Sequence, residues 1–453
     1  MTPSKRARRR DAIEQAMEHA LRLGDFIDYG TAWSFITELE EVAEQVNQLL
    51  PGESERAIKL YETFIAGCYE KAEEIDDSSG NLGMFVENLF CSWIKARQTA
   101  HADGERTAER LLDWMDKDDY GFCYQLEREA VKVLNRDGLS HFTSQVLKRF
   151  NNARPPSKTP NKEEQKPLNI SYRQRYWSGV LKTCYAAQRN LAAYIALCEE
   201  TVLLPIDCEI IAGMLQARRK PEQALEWVER GLDLENRHAI REGTSYKLVE
   251  MKRKLLVKLG YSDQALASAW TEFEDFPSKL AYDQLMKYVP KSERAAWHDK
   301  AMNASEQADL NFVIDLWLAT KEIDRLIRRL QRSTHHELES ISHYAMEPAA
   351  KKLARAYPHV AAKAYRALGM RILNSRKSRY YNIALSHFAQ VRRCYKRAGD
   401  EQTWDKLVEE ILQKHRLKSA FMPGFKKLIQ GKKTHTESSF GERTKRRKRS
   451  WNQ

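Results

Sequence analysis

The sequence predicts an all-α protein made of stacked helical hairpins in two parts. Apolar residues recur at spacings of three and four through most of the 453 residues, as they do on one face of an α-helix. Short polar breaks separate these stretches, and such breaks favour antiparallel neighbouring helices. No segment has the alternating, β-branched pattern of a strand. Helices packed pairwise are therefore the expected architecture.

The first part, residues 11–150, predicts about six helices. In one of them Ile58, Tyr61, Ile65 and Cys68 fall on a single helical face. The breaks GDFIDYG, PGES, DDSSGN and DKDDYG are rich in residues that favour turns. The helical stretches are DAIEQAMEHALRL, TAWSFITELEEVAEQVNQLL, ESERAIKLYETFIAGCYEKAEEI, GMFVENLFCSWIKARQTA, ERTAERLLDWM and CYQLEREAVKVLN.

Residues 151–169, NNARPPSKTPNKEEQKPLN, interrupt the helical pattern with four prolines and no apolar periodicity. We expect a linker or exposed loop here. It would separate an acidic helical domain at 11–150 from a second helical domain at 170–430.

The second domain contains the tripeptide Gln-Ala-Leu twice, in KPEQALEWVERGL and in YSDQALASAWTEF. Each copy lies in the second helix of a predicted hairpin, where the small Ala224 and Ala265 allow two helices to come close. Pro221 suits the first turn of one helix. Gly260 suits the end of the preceding helix, and Ser262 is placed to cap the next one. The tripeptide therefore indicates a packing position rather than a catalytic motif.

The first of these hairpins resembles a tetratricopeptide repeat. The second copy keeps Gly260, Ala265 and Leu266 but has Arg253 and Glu272 where the repeat prefers small residues. The resemblance implies a tetratricopeptide-like α-solenoid, whose stacked hairpins offer a surface for a protein or peptide. It rests on small or apolar residues at Cys208, Ile211, Ala212, Leu215, Ala224, Leu225 and Gly231.

A wider resemblance covers most of the chain. GDFIDYG, DDSSGNLG and DDYG, followed by the Pro-rich break and by ALSHFAQVRRCYKRAG, are similar to an uncharacterised bacterial family of helical-repeat proteins. Some members of that family accompany SWIM-type zinc fingers, but this chain lacks the C-x-C and C-x-H ligand pairs of such a finger. The resemblance implies a bacterial, cytoplasmic helical-repeat protein, and it implies no activity.

The formal net charge of +12 is concentrated at the two ends of the chain. Residues 1–10 carry five Lys or Arg, and residues 431–453 carry eight against two Glu. Both ends are too polar to fold alone, so we expect disordered basic tails. Such tails bind phosphate backbones by releasing counterions, and a Trp stacks on bases. The candidate nucleic-acid contacts are Lys5, Arg6, Arg8, Arg9, Arg10, Arg443, Lys445, Arg446, Arg447, Lys448, Arg449 and Trp451.

The tails have a second candidate partner within the chain. Residues 11–120 hold 25 Asp or Glu against nine Lys or Arg. Docking of a basic tail on this acidic region, or a tail that only keeps the protein in solution, therefore stays open beside nucleic-acid binding.

Cysteine usage and hydropathy indicate a cytoplasmic protein. The seven cysteines include no C-x-x-C pair, which favours reduced, buried thiols over disulfides or a zinc site. No apolar run approaches the roughly 20 residues of a membrane helix. The basic N-terminal stretch is not followed by an apolar core, so we expect neither a secretory signal nor a membrane partner.

One segment, DKDDYGFCYQLE, partly matches a calcium-binding EF-hand loop. Asp116, Asp118, Gly121 and Glu127 occupy positions 1, 3, 6 and 12, but Tyr120 stands at position 5, where an oxygen ligand belongs. The same residues suit an ordinary connection between two helices. Asp116, Asp118 and Glu127 are therefore a candidate metal site with a structural alternative.

No catalytic motif is present: the chain lacks a G-x-S-x-G elbow, a phosphate loop and a G-x-G-x-x-G turn. We expect a non-catalytic adaptor or scaffold without a cofactor, which binds a protein or peptide partner. Trp227, Trp270 and Trp317 are candidate groove residues, although Trp at helical spacing is also typical of a core. The alternative is a nucleic-acid-associated component of a bacterial defence or mobile-element system that uses its basic tails.

Overall fold

The computed structural model describes residues 5–22, 26–154, 171–238, 245–375 and 377–431. These residues form 23 α-helices and four short 3-10 helices, and the only extended pairing among them is a single bridge between Ile27 and Ile75. The all-α, helical-hairpin fold expected from the sequence is confirmed. Within the same ranges, no helix has both the length and the apolar character needed to cross a membrane.

The chain forms two compact units, Met1–Met251 and Lys252–Gln453. Helix α12 (Ser245–Lys258) runs across the division. The helices of unit 1 are α1 (Lys5–Ala20), α2 (Tyr29–Asn47), α3 (Ser54–Lys71), α4 (Asn81–Thr99), α5 (Gly104–Asp116), α6 (Leu126–Val133), α7 (Arg136–Asn152), α8 (Tyr172–Ala187), α9 (Leu191–Glu200), α10 (Pro205–Ala217) and α11 (Pro221–His238). The helices of unit 2 are α13 (Ser262–Asp275), α14 (Lys279–Tyr288), α15 (Arg294–Ala304), α16 (Leu310–Thr320), α17 (Ile323–Arg332), α18 (His335–Ser340), α19 (His343–Leu353), α20 (Pro358–Asn374), α21 (Tyr381–Ala398), α22 (Glu401–Lys414) and α23 (Met422–Ile429).

The core of unit 1 consists of the apolar faces of its amphipathic helices. The predicted stripe of α3 is buried throughout, with Tyr61 and Ile65 fully enclosed. Helix α3 packs against α4, which contributes Phe90 and Trp93 to the same core. Burial of each such side chain contributes about 1.5–3 kcal/mol, so the apolar stripe predicted from the 3.6-residue periodicity stabilises the packing of these helices.

The predicted linker at 151–169 lies largely outside the described residues, so its conformation stays a prediction. The helices on either side of it pack against each other within unit 1: the Gln188 side chain donates a hydrogen bond to Thr143 Oγ1 at 3.0 Å, and the Arg149 guanidinium lies 5.7 Å from the centre of the Trp177 ring. Unit 1 continues past the predicted linker to residue 251, and α8 and α9 add apolar side chains to the core formed by α1–α7.

The two Gln-Ala-Leu copies occupy the packing positions expected of them. Ala224 in α11 and Ala265 in α13 are completely buried. Helix α11 begins at Pro221, and Gly260 adopts a left-handed φ of +87° just after α12. Ser262 does not cap α13: it is the first helical residue, and Tyr261 precedes it without a capping side-chain hydrogen bond.

The core of unit 2 includes a cluster of aromatic rings from α21, α23 and the residue before α23. Phe388, Phe421 and Phe425 are fully buried, with ring centres 5.3–6.0 Å apart. Gly369 of α20 faces this group, and a Cβ atom there would lie 2.7 Å from the Phe388 ring. The absence of a side chain at Gly369 therefore lets α20 and α21 approach closely.

Part of the N-terminal basic segment is helical. Residues 1–10 were expected to be a disordered tail, but α1 begins at Lys5 and continues to Ala20. No Gly or Pro occurs between Lys5 and Ala20, and basic residues such as Arg and Lys are good helix formers. The basic residues therefore extend the first helix of unit 1.

Candidate functional site

Two of the loops quoted above meet in unit 1. The Ile27 backbone N–H donates to the carbonyl oxygen of Glu74 at 3.0 Å, and the Asp76 N–H donates to the carbonyl oxygen of Ile27 at 2.8 Å. These two hydrogen bonds form the bridge between Ile27 and Ile75. They join the segment before α2 to the segment between α3 and α4.

The third loop, DDYG, joins the same end of the helices. The Tyr69 hydroxyl at the end of α3 donates to an Asp118 carboxylate oxygen at 2.8 Å, and the Tyr120 hydroxyl donates to Glu73 at 3.2 Å. Tyr120 also stacks on Phe122, with ring centres 5.6 Å apart. All three loops thus lie side by side where α2, α4 and α6 begin and α3 and α5 end.

Aspartates fix the shape of each loop by accepting backbone hydrogen bonds. Asp28 caps α2 by accepting from the Thr31 N–H at 2.9 Å. Asp77 accepts from the N–H groups of Leu82 and Gly83 at 2.8 and 3.0 Å at the start of α4. Asp118 accepts from the N–H groups before α6. The acidic character of these loops therefore has a local structural cause.

The exposed apolar residues of the loops have no such cause. Trp33 is 69% exposed and Tyr124 is 72% exposed, although aromatic side chains of this size are usually at least half buried. We call residues 26–33, 72–84 and 117–124 the three-loop face. Its exposed large apolar side chains are Phe26, Tyr29, Trp33, Met84, Tyr120 and Tyr124.

The three-loop face carries a strongly negative charge. Its residues include seven Asp or Glu and a single basic residue, Lys117. Hydrogen bonds from Thr31 lower the pKa of Asp28, and hydrogen bonds from Ser78 lower the pKa of Asp76. Both carboxylates therefore stay ionised well below neutral pH and hold the negative potential in place.

The side chains of this face are suited to binding rather than to covalent chemistry. Its one thiol, Cys123, is buried, and burial raises the pKa of that thiol to about 12. Burial also raises the pKa of Tyr69, which lies at the end of α3 next to this face. Its hydroxyl donates a hydrogen bond to Asp118. Exposed rings in a negative field attract apolar and cationic groups, including Lys and Arg side chains placed over an aromatic face.

Two of the candidate metal ligands, Asp116 and Asp118, have partners within the chain, and the third, Glu127, is buried. Asp116 pairs with Arg149, whose Nη2 lies 2.6 Å from the carboxylate, and Asp118 is occupied by Tyr69 and two backbone N–H groups. Glu127 is buried, and loss of solvent raises its pKa. Across the described ranges, no three His, Cys, Asp or Glu side chains are grouped to hold a metal ion. The alternative interpretation, a connection between two helices, accounts for these residues.

The three candidate groove tryptophans are divided between the two units. Trp317 is buried, and its indole N–H donates to Ser305 Oγ at 2.9 Å, so it belongs to the core of unit 2. Trp227 is half-buried in unit 1 beneath the Arg230 guanidinium. Trp270 is half-buried in unit 2. The apolar surface that sequence reasoning missed is the three-loop face.

A sequence signal for that face does exist. The buried residues of α2 include Ala32, Phe35 and Ile36, which lie on one side of the helix. Trp33 stands one residue outside this stripe, and it lies one turn after Tyr29. A large aromatic residue outside the apolar stripe of an amphipathic helix, such as Trp33, indicates an exposed binding surface.

Unit 2 has an apolar cleft of its own. It has a volume of about 380 Å³ between α14 and α16, and the exposed Leu280 and Phe312 line it beside Asp283 and Asp315. None of the candidate tryptophans lines this cleft.

The candidate nucleic-acid residues of the C-terminal tail, Arg443 to Trp451, lie outside the described residues. Lys5, Arg6, Arg8, Arg9 and Arg10 lie in α1, whose backbone is described. The proposed contacts of both ends with nucleic acid stay a prediction.

Comparison with protein-family models identifies the family of this chain. A model for a family of unknown function, DUF6880, matches residues 8–423. The chain belongs to this family. The DUF6880 match spans all three loops, both units and most of the described helices. It agrees with the expected membership of a helical-repeat family without an assigned activity, whereas the association with SWIM-type zinc fingers stays a prediction.

No curated protein matches this DUF6880 chain. Two solved structures are distantly similar. The structure of Naa15/Naa10 bound to HypK-THB has 13% identity and a TM-score of 0.33; the match covers 90% of this chain and 64% of that chain. The structure of a monomeric mutant of IFIT1 with Gppp-AAAA has 11% identity and a TM-score of 0.22, with 93% and 94% covered. Scores this low carry no argument about the function of the DUF6880 protein.

Proposed function

We propose that this protein is a non-catalytic adaptor whose three-loop face binds a protein partner through a basic segment that also carries apolar side chains. The observation that supports the proposal is the group of six exposed large apolar residues on an acidic surface. Contiguous exposed apolar patches on folded proteins mark interaction sites.

The energetics favour a few aromatic anchors. An aromatic side chain buries roughly 150–250 Å² when it is covered, and anchors of this kind supply most of the affinity of an interface. Trp33 and Tyr29 lie one turn apart on α2, so one partner segment can contact both rings. The helix fixes the spacing of the two residues in advance, which reduces the entropy lost on binding.

The charge of the face selects the partner. Asp28, Asp76 and Glu73 lie in the same loops as the exposed rings. They attract Lys or Arg and repel acidic segments and phosphate backbones. The carboxylates are held by hydrogen bonds within the chain, so binding a basic segment requires little rearrangement. The association is expected to weaken as salt is added, because the charges are exposed.

Fluorescence anisotropy with defined peptides tests the proposal. The probe is a fluorescein-labelled 14-residue peptide of alternating Lys and Leu with one Trp; an equally apolar peptide with Glu in place of Lys is its counterpart. We expect the basic peptide to bind the full chain, and Trp33→Ser to weaken binding at least about tenfold, equivalent to 1.4 kcal/mol. Tyr344→Ser is the matched control, because Tyr344 is 77% exposed on α19 of unit 2.

Two results would contradict the proposal. One is equal binding of the basic and acidic peptides, which would show that charge does not select the ligand. The other is an unchanged affinity in Trp33→Ser, which would exclude the three-loop face as the binding surface.

Nucleic-acid association through the C-terminal tail is a second candidate, supported by the eight Lys or Arg in residues 431–453. A mobility-shift assay with DNA and RNA at two salt concentrations compares the full chain with a chain that ends at Gly431. Tail-dependent binding that falls steeply with salt supports this candidate. Absence of binding at low salt would exclude it.

A further inference from the structure

Two tryptophans of unit 2 form a right-angled aromatic corner. Trp270 on α13 and Trp297 on α15 have ring centres 5.4 Å apart and ring planes inclined by 70°. The ammonium nitrogen of Lys300 lies 3.9 Å from the centre of the Trp270 ring and 4.4 Å from that of Trp297. Both distances are within the range of a cation–π interaction. One cation therefore contacts two indole rings.

Neighbouring residues of unit 2 fix the orientation of the two indole rings. Trp270 stacks on the fully buried Phe273, with ring centres 5.9 Å apart. The Trp297 indole N–H donates to Glu293 at 3.2 Å, which fixes the orientation of the second ring. His298 holds α15 in place through hydrogen bonds to Tyr282 at 2.8 Å and to Glu322 at 3.1 Å.

Few interactions hold the Lys300 side chain in this position. It is exposed, and among the described residues no carboxylate lies within ion-pair distance of its ammonium group. An exposed cation–π contact is a weak attraction. Ordering the long lysine side chain costs conformational entropy that opposes this attraction, so another cation can displace the ammonium group of Lys300 from the rings.

The local charges favour a cation in this corner. Glu293 holds one indole, and Glu274 follows Trp270 by one helical turn on α13. Arg294, another basic residue of α15, directs its guanidinium towards the carbonyl oxygen of Met286 at 3.5 Å. A cation that enters the corner therefore meets aromatic faces and carboxylates.

We propose that the Trp270–Trp297 corner is a binding site for an alkylammonium group, which Lys300 occupies in the free protein and which a ligand's ammonium group takes over. Methylated ammonium groups suit the site best, because they give up less hydration than the ammonium of lysine when they contact aromatic faces. The ligand is either a methylated lysine side chain or a free quaternary amine. The site lies in unit 2 and does not depend on the three-loop face.

Fluorine NMR tests this site directly. 5-Fluorotryptophan replaces the ten tryptophans of the full chain, and Trp270→Phe and Trp297→Phe assign the two resonances. Tetramethylammonium chloride is the probe, tert-butanol is its neutral counterpart, and sodium chloride controls for ionic strength. Lys300→Ala opens the corner, and Lys300→Arg is the matched variant that keeps a cation in it.

We expect tetramethylammonium to shift both resonances saturably in Lys300→Ala, with a dissociation constant at least about threefold lower than in the wild type or Lys300→Arg. Choline and N-acetyl-trimethyllysine amide then distinguish the two sources of ligand by which binds more tightly. The proposal is overturned if Lys300→Ala shows no saturable shift, if tert-butanol shifts the resonances equally, or if the wild type binds as tightly as Lys300→Ala.

Discussion

Aromatic residues have opposite environments in two regions of this protein. In unit 2, Phe388, Phe421 and Phe425 are fully buried and contact one another. On the three-loop face of unit 1, Phe26 and Trp33 are 63% and 69% exposed. Burial explains the first group, because it stabilises the fold. The exposed rings of the second group contribute little to the stability of the fold. This contrast is the reason for assigning the three-loop face to binding.

Replacement of a buried ring is expected to have the largest effect. Phe388→Ala removes the ring that contacts Phe421, Phe425 and the Gly369 backbone, and leaves a cavity. We expect a loss of about 3–5 kcal/mol in the free energy of unfolding of unit 2, measured by calorimetry or urea titration. Phe312→Ala is the control, because Phe312 is 54% exposed in the same unit. Equal effects of the two variants would remove the contrast between buried and exposed rings.

The buried histidine of the same helix predicts a pH dependence of stability. His387 on α21 is buried beside Tyr365, and burial lowers its pKa from 6.5 to about 4. Glu347, Lys351 and His343 of α19 are the charged or titratable groups that face it. The unfolded chain therefore binds the proton more tightly than the folded chain does.

The neutral form of His387 accordingly contributes stability that is complete above about pH 6.5 and is lost as the pH falls towards 4. A shift of this size corresponds to about 3 kcal/mol. Unfolding of the wild type and of His387→Phe, followed by calorimetry from pH 7.5 to 4.5, measures this contribution. If the wild type loses no more free energy of unfolding over this pH range than His387→Phe does, the His387 imidazole is not the source of the pH dependence.

The same contrast shows what the sequence can predict. The stripe of α3 and the helices flanking the Gln-Ala-Leu copies follow from local periodicity, and the structure agrees. Helix α7 was not among the predicted stretches, because Gly138 and Thr143 are weak helix formers. It is held instead by close packing: a Cβ atom at Gly138 would lie 2.8 Å from the Gly104 backbone. Tertiary contact overrides local propensity there.

The candidate site could be predicted only in part. The three loops were recognisable as turns, but their meeting depends on the bridge between Ile27 and Ile75, which are 48 positions apart in the sequence. Nor does residue type distinguish Trp317, which is buried, from Trp33, which is exposed. Burial is a property of the packed helices, so it required the structure.

The carboxylates of the three-loop face predict a smaller effect on stability. Asp77→Ala removes the acceptor for the N–H groups of Leu82 and Gly83 at the start of α4. We expect a loss of about 1 kcal/mol in the free energy of unfolding of unit 1, measured by urea titration. Asp119→Ala is the control, because Asp119 is exposed in the same face. If Asp119→Ala costs as much, the capping explanation of Asp77 is wrong.

The most direct test of the account is the stability and the peptide binding of Trp33→Ser measured on the same preparation. Because Trp33 is largely exposed, we predict a change in the free energy of unfolding of less than about 0.5 kcal/mol. The same variant should lose at least about tenfold in affinity for the basic, apolar peptide. A loss of about 2 kcal/mol or more in stability with unchanged peptide binding would contradict the account, because Trp33 would then serve the fold and not a partner.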